Sequence, residues 1–185
     1  MARIVFIAPD IELYEAGKRI IADMGLSQQI DIFQANLSDG VAIARREEAD
    51  GVDVIVSRGG TAEMIKKSGV RTPVIEIRIT GPDLAQTLIN AKKVTGLENP
   101  KIGLLAFENM MYDIELFSKL LNLNLNIYEL GSDDDIADSV KQAAKDGVDI
   151  VIGGITTIRM AAKLGLANLN LSSGESAFRA ALLEA

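Results

Sequence analysis

Residues 50–56 read Asp-Gly-Val-Asp-Val-Ile-Val, and residues 146–152 repeat the pattern as Asp-Gly-Val-Asp-Ile-Val-Ile. After each copy come a pair of glycines, a threonine and a helical segment that carries a methionine, Met64 or Met160. The two copies, each of roughly ninety residues, indicate an internal duplication rather than a solenoid, which would need more repeats. The duplication is the strongest signal in the chain.

The repeat extends in both directions from this stretch. Residues 4–8 (IVFIA) correspond to residues 102–106 (IGLLA) in the repeat, and Tyr14 corresponds to Tyr112. Short β-branched runs alternate with amphipathic helical patterns from end to end, which predicts right-handed βαβ units and parallel sheets. The predicted strands are Arg3–Ala8, Gln29–Gln34, Asp53–Ser57, Pro73–Ile79, Lys101–Phe107, Leu125–Leu130, Asp149–Gly153 and Ala167–Ser172.

The sequence therefore predicts an α/β protein of two duplicated, Rossmann-like lobes. Each lobe is a doubly wound parallel sheet in a three-layer α/β/α arrangement, with an inter-lobe cleft. The expected boundaries are a first lobe at 1–80, a connecting helix at 81–98, a second lobe at 99–173 and a closing helix at 174–185. Whether these two helices pack on their own lobes or cross over is left open. Ligands of open α/β sheets bind beyond the carboxyl ends of the strands, so a ligand is expected in the cleft.

Composition removes whole classes of chemistry. The chain has no Cys and no His, which excludes disulfides, thiolate nucleophiles, zinc sites built on those residues and the Ser-His-Asp triad. The net charge of −7 without a basic cluster argues against nucleic-acid binding. No apolar run approaches the ~20 residues of a membrane span, and the first is too short for a signal peptide. We expect a cytoplasmic protein with no cofactor, metal or membrane contact.

The loop after the third strand, residues 57–63 (SRGGTAE), is the most distinctive candidate site. Its glycines permit close approach of a ligand, its amides lie at a helix N-terminus, and Arg58 suits a carboxylate or phosphate. The loop is neither a Walker P-loop nor a dinucleotide fingerprint. The structural alternative is a tight turn in which Thr61 caps the helix and Arg58 pairs with an acid. The candidate residues are Ser57, Arg58, Gly59, Gly60 and Thr61.

Other candidates follow later strands. Strand alternation places Glu76, Arg78 and Thr80 on one face, with a Glu76–Arg78 pair as the alternative. Ser172 and Glu175 have the spacing of a capping box, with anion binding at that helix start as a second option. The further candidate ligand-binding residues are Arg78, Thr80, Phe107, Gly153, Gly154, Thr156, Thr157 and Ser173.

No catalytic constellation stands out. The carboxylate runs Glu47–Glu48 and Asp133–Asp135 are adjacent in sequence, so their members do not converge on one point. The aspartates precede a predicted helix, where negative charge is favourable. We therefore predict no catalytic residues.

The chain resembles the N-terminal receptor domain of the propionate-catabolism activator PrpR family of sigma-54-dependent transcriptional regulators. The strings VDVIVSRGGTAEMIKK (52–67) and TPVIEIRITGPDLAQTLINAK (72–92) carry the resemblance most specifically. KIGLLAF (101–107), VDIVIGG (148–154) and LSSGESAFRAALLEA (171–185) extend it to the second half. The duplicated α/β architecture of that family agrees with the repeat.

The resemblance implies a sensor that binds a small anionic metabolite between its lobes and restrains a downstream ATPase. For the propionate regulator the effector is 2-methylcitrate, a tricarboxylate. The chain carries no Walker motif and no basic recognition helix. We expect either the receptor domain of a longer regulator or a free-standing relative, and ATPase and DNA-binding partners would belong to other domains of a full-length regulator. A homodimer is left open. The alternatives are a His-free, Cys-free lyase or isomerase acting on an organic acid, and a protein-interaction module. Arg58→Ala is expected to abolish effector binding while leaving the fold intact.

Overall fold

The computed structural model describes residues 2–110 and 114–185, so the predicted match of Tyr112 to Tyr14 lies outside the described residues. Within them, eight strands form two four-stranded parallel sheets, ordered β2-β1-β3-β4 and β6-β5-β7-β8. The strands are β1 (Ile4–Ala8), β2 (Ile30–Gln34), β3 (Val54–Arg58), β4 (Val74–Ile77), β5 (Ile102–Phe107), β6 (Leu125–Leu130), β7 (Ile150–Gly153) and β8 (Asn168–Asn170). The predicted parallel, duplicated α/β fold is confirmed.

The connections between strands are helical, as right-handed crossovers of a parallel sheet require. The helices are α1 (Ile11–Asp23), α2 (Leu37–Ala49), α3 (Gly59–Lys67), α4 (Gly81–Thr95), α5 (Ile114–Leu120), α6 (Asp135–Lys145), α7 (Ile155–Lys163) and α8 (Glu175–Glu184). A short 3₁₀ turn, Glu108–Met110, follows β5. No helix in the described part of the chain is long and apolar enough to cross a membrane.

Alternate residues of β1 explain the three layers of the first sheet. Phe6 packs in a core with residues of α1 and α8, whereas Val5 and Ile7 pack in a second core with Ala44 of α2 and Ile65 of α3. Because successive side chains of a strand point to opposite faces, this continuous apolar strand can serve both cores. Full burial of one such side chain contributes about 1.5–3 kcal/mol, so the central strands anchor the fold.

The repeated aspartates have a structural role that accounts for their recurrence. Asp53 Oδ2 accepts a hydrogen bond from the backbone N–H of Arg3 at 2.8 Å, and Asp149 Oδ2 accepts one from Lys101 at 2.7 Å. Each bond fixes the residue before β1 or β5 to the residue before β3 or β7. The same side chain thus sets the register of the two central strands in each copy.

The cations at these positions also serve helix ends. Arg3 Nη1 donates to the carbonyl oxygen of Asp50 at 3.1 Å, and Lys101 Nζ donates to that of Asp146. Asp50 and Asp146 lie at the C-termini of α2 and α6, where a positive charge is favourable. The duplication therefore preserves contacts as well as topology.

The chain forms two compact units that exchange helices. The first unit runs to Arg78 and includes Ser173–Ala185, and the second unit is Ile79–Ser172. Helix α8 follows the second sheet in sequence, yet Phe178 lies in the core of the first, edge-on to Phe6 with ring centroids 4.8 Å apart. Helix α4 follows the first sheet and buries Ala91 in the core of the second sheet. The structure decides what the sequence left open: each closing helix crosses over and packs against the sheet of the other copy.

Candidate functional site

The carboxyl ends of β1 and β3 lie side by side, because these two strands are parallel neighbours at the centre of the first sheet. Strand β1 ends at Ala8, with two residues between it and α1, and β3 ends at Arg58, which is itself the N-cap of α3. The candidate loop 57–63 therefore consists of the last two residues of a central strand and the first turn of a helix.

Arg58 and Asp10 form a buried ion pair at this edge. Arg58 Nη2 lies 2.9 Å from Asp10 Oδ2, and the two side chains are only 7% and 3% exposed. The other carboxylate oxygen, Asp10 Oδ1, accepts a hydrogen bond from the backbone N–H of Leu13 at 2.8 Å and so caps α1. One buried carboxylate thus holds both the arginine and the first turn of a helix.

The hydroxyls of the loop are used inside the unit. Ser57 Oγ donates to the carbonyl oxygen of Ile7 at 2.8 Å, which ties β3 to β1. Thr61 Oγ1 accepts from the backbone N–H of Leu37 at 2.9 Å. Leu37 begins α2 with a φ of +45°, which is strained for a leucine. The alternative in which Thr61 caps its own helix is wrong, because Thr61 is inside α3 and stabilises the start of α2.

The two glycines of the loop differ. Gly59 has a φ of +54°, in the left-handed region that a residue with a Cβ adopts at a cost, so the backbone conformation favours a glycine there. Gly60 has no such positive φ and is half-buried. These residues open α3, whose first amides carry the partial positive charge of a helix N-terminus.

The strand face predicted over Glu76, Arg78 and Thr80 is wrong in its second half. Strand β4 ends at Ile77, Arg78 is exposed beyond it, and Glu76 Oε2 pairs with Lys66 Nζ at 2.8 Å. Thr80 is the N-cap of α4, and its backbone N–H and hydroxyl both donate to Asp83 Oδ2, at 2.8 and 2.7 Å. Arg78 belongs to the first unit and Thr80 to the second.

In the second unit the candidate residues again stand at the carboxyl edge of a sheet. Phe107 is the last residue of β5 and is buried, and Gly153 is the last residue of β7. Gly154 is the N-cap of α7, and Thr156 and Thr157 lie in the first turn, Thr157 being buried. This edge carries glycines and hydroxyls where the first unit carries Arg58.

The end of β8 and the segment that follows it supply two buried polar atoms. Ser173 Oγ and Asn170 Oδ1 are shielded from solvent without a hydrogen-bond partner among the described residues. The predicted capping box at Ser172 and Glu175 is wrong: Gly174 is the N-cap of α8 and no side chain caps it, while Glu175 Oε1 accepts from Arg179 Nε at 2.8 Å.

Sequence reasoning passed over two residues of these edges. Asp10 follows the first predicted strand and was not a candidate, and Asn170 lies inside the last predicted strand. The available signal was position, since both residues come at or just after the carboxyl end of a strand.

The carboxylate runs have structural partners. Glu47 is buried and pairs with Arg3 and Arg46, each at 2.7 Å. Backbone N–H donors from Ser132 and Gly131 hold the pKa of Asp135 below its usual value. Within the described ranges, no group of three or more carboxylates could hold a metal ion.

The second-copy network at Asp146 is structural as well. Asp146 Oδ2 accepts from the Tyr128 hydroxyl at 2.6 Å, and Oδ1 accepts from Gln142 Nε2 at 2.8 Å. These bonds lower the pKa of Asp146, while desolvation and the bond to Asp146 raise the pKa of Tyr128. The network joins β6 to the C-terminal end of α6 and lies away from the strand ends that carry the candidate residues.

Comparison with known proteins gives the family. The chain is similar to the crystal structure of an NtrC family transcriptional regulator from Clostridium acetobutylicum, with 27% identity and a TM-score of 0.80 over 99% of this chain and 94% of that one. It shares the fold of the ABC domain in complex with L-Trp from Streptococcus pneumonia, at 16% identity and a TM-score of 0.52, covering 95% of this chain and 75% of that one. The family described as Propionate catabolism activator matches residues 25–185. Since that match includes all of the second sheet and most of the first, the chain belongs to the propionate catabolism activator family.

Proposed function

We propose that this chain is the receptor domain of a sigma-54-dependent transcriptional regulator and that it senses a small organic acid in the cytoplasm. The observation that carries the proposal is the family match over residues 25–185. The similarity to an NtrC family regulator along 99% of the chain supports a regulatory role. The absence of His and Cys from the sequence supports binding without catalysis.

The carboxyl edges of the two sheets are the proposed binding surface. Arg58 provides a permanent positive charge, and α3 and α7 begin at these edges with the positive ends of their dipoles. The hydroxyls of Ser57 and Thr61 already serve internal bonds, so their part is to hold the loop in shape. The full proposed set is Ser57, Arg58, Gly59, Gly60, Thr61, Arg78, Thr80, Phe107, Gly153, Gly154, Thr156, Thr157 and Ser173.

The effector proposed on the family's precedent is a tricarboxylate such as 2-methylcitrate. Binding would change how the domain restrains a downstream ATPase, with DNA contacted by another domain of the full regulator. Such control requires different affinities for two states of the domain, at about 1.4 kcal/mol for each tenfold preference.

The test is thermal unfolding of the purified chain against 2-methylcitrate, citrate and shorter organic acids at matched ionic strength. Uncharged esters of the same acids serve as controls for nonspecific effects. A ligand at ~100 times its dissociation constant stabilises the native state by about 2.7 kcal/mol, which raises the melting temperature measurably. Proton NMR of the same samples follows whether the acid is consumed.

Each outcome assigns a function class. Stabilisation by one acid and not by its ester, without consumption over hours, supports the sensor. Consumption of the acid would replace the sensor with the lyase or isomerase alternative. No stabilisation by any acid would contradict the proposal and favour a protein-interaction module.

A further inference from the structure

The Asp10 carboxylate contacts Arg58, the residue to which the proposed function assigns binding of the anionic effector. The Asp10 carboxylate uses both oxygens, one on Arg58 Nη2 at 2.9 Å and one on the Leu13 amide at 2.8 Å. Both charged side chains are more than nine-tenths buried. A hydrogen bond between buried ionic groups is stronger than a neutral one, so an incoming carboxylate meets an internal competitor of the same chemistry.

The second unit indicates that the fold does not need this pair. Ile4 and Ile102 begin the equivalent strands β1 and β5, which places Glu108 at the position of Asp10. Asp53 and Asp149 are equivalent as well, which places Gly154 at the position of Arg58. Glu108 is exposed in a 3₁₀ turn, and a glycine stands in place of the arginine.

The same strand order thus forms in both units, with the buried pair in the first and a glycine in the second. Removing two charges from water is costly, and apolar residues of similar volume often serve a core equally well. The topology therefore does not account for the pair.

We propose that Asp10 is an internal counter-ion that competes with the anionic effector for Arg58 and thereby sets the affinity of the sensor. The inference rests on the proposed function. Because Asp10 also caps α1 through Leu13, an anion that draws Arg58 away from Asp10 alters the first turn of that helix. Occupancy of the anion site is linked in this way to the N-terminus of α1.

The first experiment compares effector affinity in the wild type, Asp10→Asn and Asp10→Glu by isothermal titration with 2-methylcitrate and citrate. Asparagine removes the negative charge and keeps an oxygen that can accept from Leu13, so Asp10→Asn should bind the acid about tenfold more tightly. Asp10→Glu keeps the charge and should show no gain. Unchanged or weaker binding by Asp10→Asn, with the wild type binding the acid, would overturn the proposed counter-ion role of Asp10.

A second measurement needs no variant and covers the case in which Asp10→Asn does not fold. The amide resonance of Leu13 in the wild-type protein should shift on titration with the same acids, because its acceptor is Asp10 Oδ1. Binding of an acid without a shift of the Leu13 amide resonance would overturn the link to α1. If no acid binds to the wild type or to Asp10→Asn, the proposed function and the inference both fail. If an acid binds but Asp10→Asn shows no gain in affinity, or the Leu13 resonance does not shift, only the inference fails.

Discussion

Arg58 and Asp10 are 48 residues apart in sequence and form a buried pair at the carboxyl edge of the first sheet. The pair changes the expected result of removing the arginine. In Arg58→Ala the Asp10 carboxylate stays buried without its partner, and breaking a buried pair in this way costs about 3–5 kcal/mol. Urea unfolding at pH 7 should therefore show a large loss of stability, in contrast to the sequence-based expectation of an intact fold.

The matched control is the double variant Arg58→Ala/Asp10→Ala, which removes both charges. It should regain part of the stability lost in Arg58→Ala, because no buried charge is left alone. Equal stability of the two variants would show that Asp10 reaches solvent or another cation easily, and the pair would then contribute little.

Gly153 and Gly154 are adjacent but should respond differently to alanine. A Cβ on Gly153 would lie 2.7 Å from Thr157 Cγ2 and 2.9 Å from the Leu105 carbonyl oxygen, whereas one on Gly154 meets no described atom within 4 Å. Overpacking of this kind costs about 1–3 kcal/mol, so Gly153→Ala should be destabilised. Gly154→Ala should remain within about 1 kcal/mol of the wild type, since its φ of −74° suits alanine.

This difference makes Gly154→Ala a clean probe of the proposed binding surface. If the effector approaches the backbone of Gly154, the added methyl group should weaken binding at least severalfold in a calorimetric titration, with stability preserved. Wild-type affinity in a folded Gly154→Ala protein would remove Gly154 from the site.

Phe178 tests the exchange of helices between the units. Its ring is 1% exposed and packs on Phe6 near Gly17, where an added Cβ would come within 3.3 Å of Phe178 Cζ. Phe178→Ala should cost about 3–5 kcal/mol. The backbone amides of β1 and α1 should then lose protection against hydrogen exchange, although α8 follows the second sheet in sequence.

Leu183 of the same helix is the control. It is 78% exposed, so Leu183→Ala should change stability by less than about 0.5 kcal/mol. Loss of protection confined to β5 and β7 would contradict the assignment of α8 to the first unit.

The fold was predictable because its determinants are local and repeated. All eight strands of the described residues were predicted, and the structure shortens most of them at the ends, where the backbone N–H groups of Arg3 and Lys101 are held by aspartates instead. The exchange of α4 and α8 was not predictable, because an amphipathic helix specifies that one face is buried but not which sheet covers it. That choice depends on contacts such as Phe6–Phe178, which join distant parts of the chain.

The candidate residues were located by position and residue type, and the alternative in which Arg58 pairs with an acid is confirmed, but the acid itself was not identified. Strand ends can be read from sequence, but the pairing of Thr61 with Leu37 or of Arg58 with Asp10 depends on which loops meet in space. Capping boxes were likewise not predictable from the sequence pattern. The pattern at Ser172 forms no box, while Thr80 and Asp83 form one that went unpredicted.

Glu48 should make the stability of the first unit sensitive to acid. Its Oε1 accepts from the backbone N–H groups of Arg71 at 2.6 Å and Thr72 at 2.8 Å, and these bonds lower the pKa of Glu48 below its usual value. A carboxylate with a lowered folded-state pKa stabilises the protein fully above its unfolded pKa of about 4.3, and the contribution disappears as the pH falls through the lower folded value.

The variant Glu48→Gln should therefore be less stable than the wild type at pH 7, and the difference should shrink as the pH is lowered from about 5 to 3. Urea unfolding at several pH values gives the difference directly, and other carboxylates cancel in the subtraction. Glu98 is the control, since its side chain is fully exposed and lies 3.8 Å from Lys92. Glu98→Gln should follow the wild-type profile at every pH, because such surface pairs contribute little. A constant difference between Glu48→Gln and the wild type across this range would mean that the hydrogen bonds, and not the ionisation of Glu48, hold residues 71 and 72 in place.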